Sequence, residues 1–133
     1  CQVIIPRLKT DLVKIFNYSL LDKLNKINIE WKNIKCMTIV VCAKGYPRKY
    51  KKNIIININN KLLGLKNYFI FHAGTKYLKG NLVSNGGRVL NVISTGDNFR
   101  KIRNNIIKVI KRINWKNGFF RKDIGWKVIK VIK

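Results

Sequence analysis

Apolar positions recur along this chain in two rhythms, one of three to four residues and one of two, and the rhythms alternate. Leu12, Ile15, Phe16, Leu20 and Leu24 fall at helical spacing and predict a helix over Pro6 to Ile27, with an extended lead-in. Thr10 is placed to cap it, and Asp11 falls in the first turn, where a carboxylate suits the helix dipole. The stripe reads as a packing face against a body that need not be present in this chain. Asn28 to Lys35 is a polar connector around Trp31 and marks the expected domain boundary.

The rhythm then shortens. Met37 to Ala43 is a β-branched run of strand length, stopped by Lys44-Gly45-Tyr46-Pro47. Arg48 to Lys52 follows as a basic loop, Ile54 to Ile58 as a short strand, and Asn59 to Lys66 as a loop containing Gly64. Tyr68 to Ala73 and Arg88 to Ser94 are two more strands, with a turn at Lys79-Gly80-Asn81 and a short strand at Leu82 to Ser84 between them. Thr95-Gly96-Asp97 opens a second helix, roughly Asn98 to Ile113, with Asp97 as its cap. Ile102, Ile106, Ile107, Ile110 and Ile113 form its apolar stripe, opposite Arg and Lys. Such a basic amphipathic helix can lie on a membrane, but the strands around it need a cover, and packing on a sheet is the preferred reading. Asn117-Gly118 ends the helix, Phe119 to Trp126 is an aromatic return segment, and Lys127 to Lys133 a basic tail. Helix, strands, helix and strand in that order predict a small α+β domain, mostly antiparallel and covered by one helix.

The stretch with the most chemistry is Phe71 to Leu90. Thr75 and Lys76 end one strand, and Asn85-Gly86-Gly87 delivers Arg88 into the next. Two readings stand side by side here. Consecutive glycines can take positive φ and turn their N–H groups toward an anion, with Lys76 and Arg88 adding charge. The other reading, preferred from these residues alone, is a β-hairpin whose turn needs Asn-Gly and whose basic neighbours merely face water.

Composition changes the picture in one respect. The net charge of +24 would ordinarily point to nucleic acid or an anionic membrane. However, the chain has 22 lysines, 21 isoleucines and 17 asparagines, and only two alanines, Ala43 and Ala73. Lys, Ile and Asn are residues of A/T-rich codons, and the lysines occur in every segment. The charge therefore reads mostly as a genomic accent, and nucleic acid as a partner is disfavoured. Cys1, Cys36 and Cys42 are odd in number without C-x-x-C spacing, and read as small buried hydrophobes in a reducing compartment. His72, the only histidine, reads as a satisfied core residue. No apolar run is long enough to span a membrane, no signal peptide is evident, and a cytoplasmic setting is expected. The chain lacks an initiating Met and reads as one entered in the middle.

Catalysis needs a nucleophile, an acid/base pair or a metal. The five acids are Asp11, Asp22, Glu30, Asp97 and Asp123, and no pair of them suits Mg²⁺. Asp123 is expected to pair with a basic residue such as Arg121. No P-loop or dinucleotide fingerprint is present. No catalytic or metal-binding residue is assigned.

Five motifs, taken together and in order, resemble one family. They are Gln2 to Leu12 (Gln-Val-Ile-Ile-Pro-Arg-Leu-Lys-Thr-Asp-Leu), Lys44-Gly-Tyr-Pro47, Phe71-His-Ala-Gly-Thr-Lys76, Ser84-Asn-Gly-Gly-Arg-Val-Leu90 and Arg121-Lys-Asp-Ile-Gly-Trp126. Over the full length they resemble the carboxy-terminal part of the phosphoribosylamine–glycine ligases, or glycinamide ribonucleotide synthetases, of the ATP-grasp superfamily. The resemblance implies that residues 1–30 close the ATP-grasp domain and residues 31–133 form the carboxy-terminal domain. It implies ligation of glycine to 5-phosphoribosylamine with ATP, on the way to purines, with Mg²⁺ or Mn²⁺ held by ligands upstream of Gln2. It also implies that Lys76 and Arg88 face the ribose phosphate, with Asn85, Gly86 and Gly87 shaping the loop and Arg7 a weaker candidate. Arg121 and Asp123 become a structural ion pair behind the site. Arg48, Asn91 and Cys1 depart from the family's usual Gly, small residue and Thr. A basic nucleic-acid-binding module, with Tyr68, Phe69, Phe71, Trp115 and Phe119 as stacking platforms, is the alternative from another class. An inactive remnant of the ligase is a third. Oligomeric state is not legible.

Overall fold

The computed structural model describes residues 1–58 and 66–131. Its N-terminal helix is shorter than the apolar stripe predicts. A 3-10 turn at Ile5–Arg7 precedes α1 (Leu12–Leu20), and another at Leu24–Lys26 follows it. Asp11, not Thr10, is the cap, accepting from the Lys14 amide at 2.8 Å. Thr10 Oγ1 instead accepts from the Glu30 amide at 2.7 Å, tying the two ends of the segment together. Asp22, with φ of 53°, turns the chain out of the helix before Ile27.

The body is a four-stranded antiparallel sheet. Its strands are β1 (Lys35–Ala43), β3 (Tyr68–His72), β6 (Arg88–Gly96) and β8 (Gly118–Phe119), in the order β3-β6-β1-β8. Two small ribbons flank it: β2 (Asn57–Ile58) pairs with β7 (Ile113–Asn114), and β4 (Thr75–Leu78) with β5 (Asn81–Ser84). Alternation in β1 is strict: Met37, Ile39, Val41 and Ala43 are buried, and the residues between them less so. That buried row and Leu90 and Val92 of β6 lie under α2 (Phe99–Arg112), which buries Ile102, Ile106, Val109 and Ile110. The period-two and period-3.6 stripes therefore meet face to face, and the small α+β domain expected from the sequence is the one observed.

Several boundaries move. Asn98, rather than Asp97, caps α2, accepting from the amides of Arg100 and Lys101. The helix stops at Arg112, because Ile113 and Asn114 are taken by β2. The expected basic tail forms α3 (Trp126–Val131), where Lys127 and Lys130 lie over the Trp126 ring. Its start is held by Arg103 of α2, which donates to the carbonyls of Ile124 and Lys122. The loop expected over Asn59 to Lys66, Gly64 included, lies outside the described residues apart from Lys66, as does the end of the tail. Among the described residues no helix is long and apolar enough to cross a membrane.

Candidate functional site

The stretch from Phe71 to Leu90 is built around a neck. Past His72 the ladder between β3 and β6 continues for two bonds, from the Ala73 amide to Val89 and from the Gly74 amide to Arg88, both 3.0 Å. The chain then leaves the sheet and runs out along β4. It turns through Lys79 and Gly80, whose φ values of 49° and 76° suit a two-residue hairpin turn, and returns along β5. The Asn85 amide closes the neck by donating to the Gly74 carbonyl at 2.7 Å. The tight hairpin thus sits at Lys79-Gly80 and not at Asn85-Gly86. The three residues from Asn85 to Gly87 are the neck's return path.

That changes what the glycines are for. The glycine pair allows a positive φ at Gly86 and Gly87, but neither takes it. They allow close approach instead. A Cβ on Gly74 would stand 2.7 Å from the Gly86 Cα and 2.7 Å from the Arg88 carbonyl oxygen. One on Gly87 would fall 2.1 Å from Cδ2 of Tyr46, so that ring lies directly on the Gly87 backbone. The Gly87 carbonyl also accepts from the Ala43 amide at 2.8 Å. Backbone and ring together fix where β6 begins, and hence where Arg88 stands. Gly74 and Tyr46 both lie inside motifs quoted above, but neither was assigned a role from sequence. Their partners are remote in the chain, and local patterning carries no trace of them.

Arg88 is the first residue of β6, exposed, and pairs with Cys42 at the β-bulge between Val41 and Cys42. Burial pushes the Cys42 thiol up, and the Arg88 charge draws it partly back. Lys76 is exposed on β4, opposite Val83. Among the described residues, neither Lys76 nor Arg88 has a carboxylate or carbonyl partner for its side chain. The neck places Asn85, Gly86, Gly87 and Arg88 beside Gly74 and Thr75. It does not join Lys76 to Arg88, which stand on different sheets. His72 is exposed rather than in the core, with Nδ1 3.1 Å from Thr75 Oγ1. Arg7 stands apart from this corner, beside Cys36, whose thiol is pushed up by partial burial and drawn partly back by the Arg7 charge. None of the three cysteines is buried as expected, Cys36 and Cys42 being half-buried and Cys1 exposed.

The expected Arg121–Asp123 pair forms, with two guanidinium bonds, the shorter at 2.6 Å, holding the Asp123 carboxyl below the usual carboxylate range. Among the described residues no three of His, Cys, Asp and Glu group so as to hold a metal ion. What this corner offers chemically is an exposed guanidinium with no carboxylate partner among the described residues, on a strand start that the neck holds in place.

The family model described as phosphoribosylglycinamide synthetase, C domain, matches residues 36–127. A phosphoribosylamine–glycine ligase of Brucella melitensis is 36% identical over 130 residues, covering 98% of this chain and 30% of that protein. One of Agrobacterium fabrum is 40% identical over 130 residues, covering 97% of the chain and 30% of the relative. The chloroplastic enzyme of Arabidopsis thaliana is 36% identical, with 98% and 25% covered. The chain therefore spans under a third of the length of these relatives. The crystal structure of a Thermotoga maritima phosphoribosylamine–glycine ligase superposes with a TM-score of 0.68 at 24% identity, over 91% of this chain and 29% of that one. At that identity it speaks for the fold.

Proposed function

The chain belongs to the phosphoribosylglycinamide synthetase family through the C domain of that enzyme, and we propose that it is the carboxy-terminal part of a phosphoribosylamine–glycine ligase. In this reading ATP converts the glycine carboxylate to an acyl phosphate. The amine of 5-phosphoribosylamine attacks the acyl carbon, and ADP and phosphate leave with glycinamide ribonucleotide as product. Residues 1–30 close the ATP-grasp domain and residues 31–133 are the domain that closes over the substrate. The setting is the cytoplasm.

The residues present do not fit the metal, since the described part offers no ligand group for Mg²⁺ or Mn²⁺. Its ligands and the ATP site belong, in this proposal, to the part of the relatives that lies outside this match. No step is routed through the metal here. The contribution of this chain is to bind and orient the ribose phosphate. Arg88 grips it with the planar guanidinium fork. Gly86 and Gly87 let the neck pass close to it, and Asn85 and Lys76 line its approach.

The observation that carries the reading is the exposed Arg88, without a carboxylate among the described residues, on a strand start locked by the Gly74–Gly86 contact. In the intact enzyme, Arg88→Ala is expected to lower kcat/KM for phosphoribosylamine by roughly 10- to 100-fold, the worth of charge-assisted hydrogen bonds to one anionic group. The KM for ATP should stay within about twofold. Steady-state kinetics with each substrate varied in turn check this. A change confined to ATP would sink the assignment.

A further inference from the structure

The Tyr46 ring is held differently from its aromatic neighbour. Tyr50 packs against the hydrophobic core, whereas Tyr46 lies outside that cluster and is 36% exposed. On one flank, with Val40, Cys42, Pro47 and Phe120, it lines an open hollow of about 360 Å³, so nothing fills the space there. On the other flank it meets backbone. Its Cδ2, Cε2 and Cγ are the three atoms nearest to where a Gly87 Cβ would stand, at 2.1, 2.6 and 3.0 Å. The Tyr46 hydroxyl has no hydrogen-bond partner among the described residues.

Loop closure, and not burial, keeps the ring in that place. Gly45 has φ of 100°, and a Cβ there would fall 2.2 Å from the Lys49 carbonyl oxygen, so the chain doubles back tightly from Lys44 to Lys49. The Tyr46 amide donates to the Ala43 carbonyl at 3.0 Å, and the Ala43 amide to the Gly87 carbonyl at 2.8 Å. The residue that carries the ring and the glycine beneath it therefore hang on the same last residue of β1. The Tyr50 ring backs the arrangement, its centroid 6.3 Å away in a tilted pairing of the kind aromatic rings prefer. A half-exposed ring beside a hollow adds little to the stability of the core. It can still decide the position of what it touches, and that is the residue before Arg88.

We propose that Tyr46 is a positioning residue for the ribose-phosphate grip: its ring holds the Gly87 backbone and so sets where Arg88 leaves the sheet. The proposal rests on the reading of Arg88 given above. It assigns the work to the ring and none to the hydroxyl. It also gives Gly87 a reason, internal to the protein, to lack a side chain, since a methyl there would displace the ring. Gly86 serves the other contact of the neck, the one with Gly74. A guanidinium grips through bonds of fixed direction, so a displacement of about 1 Å at Arg88 is enough to slow the reaction without unfolding the domain.

The test is made on variants of the intact enzyme. Tyr46→Ala is expected to lower kcat/KM for phosphoribosylamine roughly 5- to 30-fold, less than Arg88→Ala does. The KM for ATP should stay within about twofold, and the melting temperature within about 4 °C. Tyr46→Phe keeps the ring and should stay within about twofold of the parent enzyme. Gly87→Ala should lose about as much as Tyr46→Ala, and the double variant no more than the worse single one, because the methyl then has no ring to displace. Amide exchange reads the hold on Gly87 without any substrate. In Tyr46→Ala the Ala43 amide should exchange about tenfold faster or more, while Val92 and Ile93 in mid-sheet do not change. Tyr46→Leu stands in if the alanine variant does not fold. Should Arg88→Ala leave the use of phosphoribosylamine unchanged, the reading of Arg88 has failed, and the Ala43 amide alone decides whether Tyr46 holds the strand start. An unchanged Ala43 amide overturns the proposal. So does unchanged use of phosphoribosylamine in Tyr46→Ala where Arg88→Ala lowers it. Additive losses in the double variant overturn it too, as does a loss in Tyr46→Phe as large as in Tyr46→Ala, which would put the hydroxyl on the substrate.

Discussion

The two longer helices of this protein are built on the same pattern and meet opposite fates. α2 lays its stripe on the sheet, and Ile106 and Val109 are fully buried. α1 buries nothing: Leu20 is 83% exposed, Phe16 57% and Val13 63%. The difference lies in what each helix has been given to pack on. β1 and β6, paired along most of their length, provide an apolar face for α2, while the segment around α1 is tied down mainly by backbone bonds between residues 7–10 and 30–32 and the Thr10 hydroxyl. An apolar stripe therefore says that a partner is needed and is silent on where it is. A stripe this exposed on a chain spanning under a third of its relatives' length fits a partner in the remainder.

The sharpest way to break this comparison is to truncate one residue from each stripe. Ile106→Ala removes a fully buried side chain under the sheet and should cost the body about 2–5 kcal/mol, the sum of lost transfer and cavity terms. Leu20→Ala should cost the 133-residue chain no more than about 0.5 kcal/mol, because the side chain is already in water. Urea denaturation of the chain measures both. The same Leu20→Ala change in the intact protein should cost distinctly more. Equal, small effects in both settings would mean that nothing covers α1.

An intermediate effect tests the neck that positions Arg88. Gly74→Ala would gain a little from a stiffer unfolded chain, about 0.4–1 kcal/mol. The new methyl meets backbone rather than a movable side chain, at 2.7 Å from both Gly86 Cα and the Arg88 oxygen. Overpacking of that kind costs about 1–3 kcal/mol, so destabilisation wins. Because the displaced atoms belong to Gly86 and Arg88, on the proposed function the intact enzyme's use of phosphoribosylamine should fall along with stability. Alanine at Gly80, with open space around it, should disturb stability modestly through its φ of 76° and leave the kinetics alone. Thermal melts and substrate kinetics on the two variants separate a neck from an ordinary turn.

How far the sequence could be read follows the same division. Elements whose partners announce themselves by period were legible: β1, β6, α2 and the antiparallel α+β architecture. Elements whose ends depend on a remote partner were not. Ile113 continues the apolar pattern of α2, yet β2 claims it, with Asn114, from more than fifty residues away. Lys79-Gly80 and Asn85-Gly86 both carry hairpin chemistry. Only the pairing of β6 with β1 and β3, rather than with β5, decides which of them turns a hairpin. At the site, Arg88 was legible as a cation delivered by a glycine pair. The purpose of that pair was not, since it rests on Gly74 and Tyr46, and neither contact has a local signature.

The smallest expected effect concerns two ion pairs of the described residues, one in each region. Lys9 binds Glu30 at 2.7 Å in the N-terminal segment, and Arg121 binds Asp123 at 2.6 Å on the return to α3. Both carboxyl groups are held below their ordinary values, 4.5 for Glu and 3.8 for Asp, chiefly by the hydrogen bond to the cation and, for Glu30, next by its charge. A depressed folded value means that the folded state binds the proton later than the unfolded chain does. The pair's contribution is therefore fully present above the unfolded value and is lost as pH falls through the folded one. Both pairs are exposed to solvent, where such contacts are weak and screened by salt. Stability should accordingly be flat from neutral pH down to about 5 and decline slightly below about 4. In Asp123→Asn the part of that decline owed to the return segment should disappear, and likewise the part owed to the N-terminal segment in Glu30→Gln. Thermal melts across this range at low salt make the measurement. The Asp123 change should be felt in the cooperative unfolding of the body, whose α2 is bound to the neighbouring carbonyls through Arg103. The Glu30 change should loosen only the N-terminal segment, which hydrogen exchange at residues 9 and 10 would register. An effect of Glu30→Gln on the body as large as that of Asp123→Asn would mean that the two regions are coupled more tightly than their packing indicates.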